Sequence, residues 1–173
     1  MSKAPHAMGS RMVITALLIG AGFMGAGFAV PTRAQDLSAA TPSDTIYARK
    51  TVMDAISEKM DALEAASAFN RKIDLGEVHE FADVISVLLM AFPHMFPAET
   101  NLWKPNVDKD PAFDTYAAPE VWTRFADFYN RAGAASKIAY NASRANGEAE
   151  FKAGVVELRG ACDGCHAVYQ KTD

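Results

Sequence analysis

Apolar side chains recur at alternating intervals of three and four residues along most of this chain, and no segment shows convincing two-residue alternation. Intervals of three and four place side chains on one face of an α-helix, whereas a strand requires a period of two. Four such stripes predict four helices, which begin at Ser43, Asp74, Pro119 and about Glu148. One amphipathic helix cannot bury its own apolar face, so the four helices must pack together.

Proline and glycine interrupt these helices and define one long connection. Pro93 ends the second helix because proline lacks the backbone N–H that a helix requires. Residues 93–118 contain four prolines and few periodic apolar positions, and Asn146-Gly147 separates the third helix from the fourth. We therefore predict an all-α fold, an antiparallel four-helix bundle with one long crossover loop. Bundles of this kind build cofactor sites between facing helices.

The N-terminal segment has the features of a secretory signal peptide. A positively charged start precedes an apolar run over residues 12–30, and small residues lie one and three positions before a cut after Ala34. This pattern predicts a signal peptide over residues 1–34, a mature domain over residues 35–173 and export to the periplasm. An uncleaved membrane anchor is the alternative, because the apolar run is long enough to span a bilayer.

The composition fits one compact domain and excludes two classes of protein. Half of the 173 residues are hydrophobic and 22% are charged, a balance that excludes wholesale disorder. The formal net charge is −4, and removal of the leader, which contains basic but no acidic residues, makes the chain more acidic. A nucleic-acid partner would require a basic face, so the charge argues against one.

The strongest chemical signal is Cys162-Asp163-Gly164-Cys165-His166, near the C-terminus. This C-x-x-C-H spacing is the attachment pattern of c-type haem. Residues three and four apart share a helix face, so Cys162 and Cys165 can bond to the two vinyl groups at one haem edge. His166 then supplies the proximal imidazole ligand to the iron. The motif predicts one covalently attached haem c per chain.

Three other interpretations of the two cysteines remain open. A thioredoxin-like dithiol requires a preceding strand and a βαβ pattern, and the sequence offers neither. A zinc site requires further ligands, for which His79 and His94 are the candidates in the mature chain. A simple disulfide accounts for the two thiols but not for the adjacent histidine.

Three further segments precede the motif, which ends the last helix. They are Tyr47–Met53 (R-x-x-x-M), Phe96–Thr100 and Ala118–Trp122, followed by Cys162–Tyr169 (C-x-x-C-H-x-x-Y). In these four segments the chain resembles the class II cytochromes c, the family of cytochrome c prime and its low-spin relatives. The resemblance covers nearly the whole mature chain, although Glu99 stands where the family usually has glycine. It implies a four-helix bundle with the haem held near the last helix.

The resemblance also implies roles for two residues of the first helix. Met53 matches the position that supplies an axial thioether in the low-spin members, which would make it the second iron ligand besides His166. For a methionine on a helical stripe, core packing is the competing interpretation. Arg49 lies one turn before Met53, and the family implies that its guanidinium pairs with a haem propionate. The alternative for Arg49 is an exposed cation that pairs along its own helix.

Two classes of function follow from the resemblance. We favour an electron carrier with a His166/Met53-ligated haem and a redox partner protein, because Gln170 replaces the basic residue that cytochrome c prime usually has four positions after the histidine. The alternative is a five-coordinate, cytochrome c prime-like protein that binds NO or CO. A haem domain that senses a ligand for a partner also remains open. We expect no enzymatic activity, since no acid/base pair is evident, and the family implies that homodimers are common.

Overall fold

The computed structural model describes residues 40–68 and 72–171. The predicted signal peptide, its cleavage point and the alternative anchor lie outside the described residues. Among the residues described, no helix is long and apolar enough to cross a membrane. The helices are α1 Pro42–Ser67, α2 Leu75–Ala91, α3 Glu120–Thr123, α4 Phe125–Ala142 and α5 Glu148–Tyr169. Two short 3₁₀ turns, Phe92–Met95 and Ala98–Thr100, follow α2.

Side-chain caps explain where the first two long helices begin. Thr41 caps α1, rather than the expected Ser43 or Asp44. The Thr41 hydroxyl accepts a hydrogen bond from the Asp44 N–H, and the Asp44 carboxylate accepts one from the Thr41 N–H. Asp74 caps α2 as predicted and accepts from the N–H groups of Gly76 and Glu77. These bonds satisfy backbone donors that have no partner within the helix.

The predicted third helix is divided into α3 and α4 at Arg124, whose backbone (φ −127°, ψ 36°) leaves the helical region. The short α3 follows Pro119 and carries Trp122, whose indole N–H donates to the carbonyls of Phe96 and Pro97 at 3.1 and 3.3 Å. This contact fixes α3 against the crossover. The change in direction at Arg124 then lets α4 align with the bundle.

The four long helices form the predicted bundle, in which α2 packs most closely on α4 and the α1–α5 contact is the weakest between neighbouring helices. Small residues allow the close approaches. On the α2–α4 interface the Ser136 hydroxyl donates to the Ser86 carbonyl at 2.8 Å. Between α4 and α5, a Cβ on Gly154 would lie 3.0 Å from the Ala142 Cβ, so a larger residue there would push the two helices slightly apart. The weaker α1–α5 contact leaves space between those helices.

Two apolar clusters make up the core. The larger one joins all four long helices and includes Ile56, Leu63, Ile85, Ala139, Phe151 and Leu158. The smaller one lies where the crossover meets the bundle and consists of Phe92, Phe96, Val121, Phe128 and Tyr169. The crossover is pinned to α1 by Lys50, whose ammonium donates to the carbonyls of Pro111 and Asp114. The all-α bundle with one long crossover is therefore confirmed.

Candidate haem site

The last three turns of α5 place the C-x-x-C-H motif on the wall of a cavity of about 500 Å³. Cys162, Cys165 and His166 all line this cavity, as their spacing on one helix face predicts. The other walls come from α1, α2, the first 3₁₀ turn, α3, α4 and the crossover. Their lining residues include Arg49, Met53, Met60, Leu89, Phe92, Thr115, Phe128 and Arg131.

Both cysteines are half-buried free thiols. Burial raises the pKa of Cys162, and it raises the pKa of Cys165 to about 11. The two side chains are therefore protonated at neutral pH, which disfavours the thiolate form that zinc and reactive dithiols require. Within residues 40–68 and 72–171, no group of three or more His, Cys, Asp or Glu side chains could hold a metal ion.

The two other histidines in the described part of the chain, His79 and His94, lie outside the cavity that the motif faces. The His79 ring lies 6.4 Å from that of Phe151, and its Nε2 is buried without a hydrogen-bond partner. His94 packs its ring edge against Tyr129 at 5.8 Å. Neither histidine lines the cavity, so the zinc interpretation finds no further imidazole there. Partial burial lowers the pKa of His166, which favours the neutral imidazole that coordinates metals.

Arg49 is a buried cation in the cavity wall, only 3% exposed. Its guanidinium donates to the Thr100 hydroxyl at 2.9 Å and to the Thr115 hydroxyl at 2.5 Å, and it lies 4.5 Å from the centre of the Phe96 ring. Burial lowers the pKa of Arg49 to about 10. The structure thus excludes an exposed helix-surface role, and it gives this cation no carboxylate partner among the described residues.

Met53 lines the cavity from α1, one turn after Arg49, and packs against both apolar clusters. Its side chain is partly buried, and Met60, two turns later, is fully buried in the same wall. Met90 is exposed and Met95 packs in the smaller cluster, so neither lines the cavity. Met53 and Met60 thus bring thioethers to the space that the motif faces.

A polar network beside the motif was not predicted from the sequence. Tyr169 donates its hydroxyl to the Asp127 carboxylate at 2.5 Å, and Arg131 donates to the same carboxylate oxygen at 2.8 Å. Arg131 also donates to the backbone carbonyl of Gly164, inside the motif, at 3.4 Å. The sequence feature that indicates part of this network is the pair of opposite charges at Asp127 and Arg131, four residues apart on one helix.

A protein-family model described as Cytochrome C′ matches residues 44–170 of this chain. The chain belongs to the cytochrome c′ family. Cytochrome c′ from Rubrivivax gelatinosus is 26% identical to it, over 75% of this chain and 97% of that protein, with a TM-score of 0.62. Among curated proteins, no sequence matches this chain.

Two further cytochromes c′ of known structure share the fold. The protein from Shewanella frigidimarina is 23% identical over 76% of this chain and 98% of its own, with a TM-score of 0.64. A nitric oxide complex of a variant from Alcaligenes xylosoxidans is 17% identical over 77% of this chain and 98% of its own, also with a TM-score of 0.64. At these identities the likeness concerns the fold alone.

Family membership overturns the interpretation of this chain as an electron carrier with a His166/Met53-ligated haem. Cytochromes c′ are known for a five-coordinate haem that binds NO or CO, so the electron-carrier interpretation is wrong and its alternative fits better. Neither residue on which that interpretation depended distinguishes the two functions. Gln170 alone does not indicate an electron carrier, and the Met53 thioether is equally suited to the packing that the structure shows. No redox partner protein is identified.

Cytochromes c′ carry one covalently attached haem c per chain, and the residues of this cavity fit that group. Two thiols one turn apart match the two vinyl groups, and the neighbouring imidazole is an iron ligand. The buried guanidinium of Arg49, which has no carboxylate partner in the described part of the chain, suits an anionic propionate. The apolar residues of both clusters supply the surroundings for the macrocycle.

Proposed function

We propose that this protein binds NO or CO at a haem c whose iron takes only His166 from the chain. Cytochromes c′ that share its fold are described as a nitric oxide complex and as a carbon monoxide-bound form. The observation that carries the proposal is the apolar wall of the motif's cavity, to which α1 and α2 contribute Met53, Ile56, Met60 and Leu89. Such a wall suits a small, weakly polar gas.

Each residue of the site has one task in this proposal. Cys162 and Cys165 hold the haem through thioether bonds, and His166 presents its imidazole to the iron. Arg49 binds a propionate while its bonds to Thr100 and Thr115 keep the guanidinium in place. Met53 packs against the space for the gas without binding iron. When bound, the haem supplies the iron that coordinates the gas.

We further propose that the protein binds gas without converting it, and that it does so in the periplasm. The family is typically periplasmic, and the leader predicted over residues 1–34 would direct export. Periplasmic fractions should therefore contain a pigmented protein whose intact mass corresponds to residues 35–173 plus one haem. CO released from the reduced protein should be recovered unchanged. A mass that includes residues 1–34 would contradict export with cleavage of the leader. Consumption of the gas would contradict binding without conversion.

Visible spectroscopy of the exported protein tests the central proposal. The ferric protein near neutral pH should give a high-spin, five-coordinate spectrum, and the reduced protein should take up CO rapidly because no protein ligand has to leave first. A low-spin ferric spectrum with slow CO uptake would refute the proposal. Haem staining after denaturing electrophoresis should detect the pigment, and loss of the pigment in acid acetone would refute covalent attachment through Cys162 and Cys165.

A further inference from the structure

One carboxylate on α4 is linked to both sides of the predicted iron-binding histidine, directly on one side and through Arg131 on the other. Asp127 Oδ2 accepts a hydrogen bond at 2.5 Å from the hydroxyl of Tyr169, which lies three residues after His166. The same oxygen accepts Arg131 Nε at 2.8 Å, and Arg131 Nη1 donates to the Gly164 carbonyl at 3.4 Å, two residues before His166. The last turns of α5 are thus held to α4 at two positions that flank the histidine, the side chain of Tyr169 and the backbone carbonyl of Gly164.

The burial of Tyr169 distinguishes the network from an ordinary surface ion pair. Tyr169 is 4% exposed, and its ring packs against Phe128 at 5.2 Å in the smaller apolar cluster. Its hydroxyl therefore has a fixed position from which it holds the half-exposed Asp127 carboxylate. Arg131 lines the haem cavity, so its guanidinium spans from the carboxylate to the motif. A carboxylate with a charged and a neutral donor is a strong, directional anchor.

We propose that Asp127 and Arg131 are positioning residues for His166: together with Tyr169 they fix the last turn of α5 and hence the direction in which the imidazole meets the iron. This inference rests on the proposed function, in which His166 is the only protein ligand. With no ligand on the other side to hold the haem, the histidine's orientation depends on its own helix. Groups that orient a metal-binding imidazole tune the metal without touching it.

The matched control is the ion pair between Arg144, in the turn that follows α4, and Asp83 on α2, whose residues do not line the haem cavity. Arg144 donates to Asp83 on α2 at 3.0 Å. The two side chains of this pair are as exposed as those of the Arg131–Asp127 pair or slightly more so. Arg144→Gln and Arg131→Gln each remove one arginine that bonds both an aspartate and a neighbouring helix, Arg144 to α2 and Arg131 to α5. The two variants should therefore lose similar stability if Arg131 has only a structural role.

Resonance Raman spectra of the ferrous holoprotein report the iron–histidine bond directly. Arg131→Gln and Asp127→Asn should shift or broaden the iron–histidine stretching band, while Arg144→Gln leaves it unchanged. Tyr169→Phe keeps the ring and removes only the hydroxyl, so it should shift the band without loss of folding. A band that stays at the wild-type position in the Asp127, Arg131 and Tyr169 variants would overturn the inference.

Hydrogen exchange separates this inference from the proposed function. In the full-length holoprotein, amides of residues 160–171 should exchange faster in Arg131→Gln and Tyr169→Phe than in wild type or Arg144→Gln. This measurement does not depend on whether the iron is five- or six-coordinate. A six-coordinate wild type would refute the proposed function, whereas unchanged exchange in both network variants would refute the positioning role alone.

Discussion

Arg49 combines burial with a full positive charge, which is costly unless an anion or several acceptors compensate it. Two threonine hydroxyls and one carbonyl solvate the guanidinium, and the Phe96 ring covers it. These neutral partners hold the cation in place without cancelling its charge. The charge therefore remains available to a propionate, and it also raises the electrostatic potential at the iron.

The charge of Arg49 should influence the reduction potential. Arg49→Gln removes a cation near the haem, so the ferric state becomes relatively more stable and the midpoint potential should fall. Spectroelectrochemical titration measures this, with Lys137→Gln on the exposed surface of α4 as the control that removes a remote cation. If Arg49 only secures the crossover through Thr100 and Thr115, Arg49→Gln will have a lower melting temperature than wild type while its midpoint potential stays the same.

Met53 and Met95 offer a matched pair for the gas site. Both are partly buried, but only Met53 lines the cavity. Met53→Ala should enlarge the space on the α1 side, so the reduced protein should bind CO faster while the ferric spectrum stays high-spin. Met95→Ala should leave the CO rate unchanged in stopped-flow measurements. A change from low-spin to high-spin on the Met53 substitution would contradict five-coordination in the wild type.

At the scale of helices, local signals predicted what is encoded locally. The spacing of apolar residues and the Asp74 cap predicted the long helices, and the contiguous motif predicted which face of α5 meets the cofactor. The break at Arg124 was not predicted, because it depends on the Trp122 indole reaching the Phe96 carbonyl across the crossover. The spacing of Asp127 and Arg131 indicates their ion pair, but the bond from Tyr169 to Asp127 joins residues 42 apart in sequence, so no local pattern indicates the link to α5.

The link between α4 and α5 should weaken in acid. Bonds from the Tyr169 hydroxyl and then from Arg131 lower the pKa of Asp127 below its ordinary value of 3.8. Because the folded pKa lies below the unfolded one, this contribution to stability is present above about pH 3.8 and is lost as the pH falls through the folded value.

Thermal melts of wild type and Asp127→Asn measure this effect. The asparagine cannot ionise, so the difference in melting temperature should be largest near neutral pH and should shrink below pH 3.8. Arg144→Gln removes a cation while Asp83 remains ionisable, and so reports acid effects unrelated to Asp127. A gap between wild type and Asp127→Asn that is constant down to strongly acidic pH would contradict the assignment.

At the scale of the molecule, the haem cavity is part of the core. α1 contacts α5 less than it contacts α2, and a space of about 500 Å³ lies between α1, α5 and the crossover. Apolar side chains from both clusters border this space. Protein interiors are otherwise close-packed, so a haem that fills the space would complete the packing of the first and last helices.

Removal of the covalent haem should therefore destabilise the whole bundle. A Cys162→Ala/Cys165→Ala variant cannot form thioether bonds, and without haem it should be less helical by circular dichroism and should melt at a lower temperature than the holoprotein. The variant lacks both the haem and two small, half-buried thiols, and either loss lowers stability. Added haemin separates these two causes, because it restores the cofactor but not the thiols. A ligand that binds only the folded state raises stability with its concentration, so haemin should restore part of the helicity and the melting temperature. Equal spectra and melts for the holoprotein and the haem-free variant would mean that the bundle closes without its cofactor.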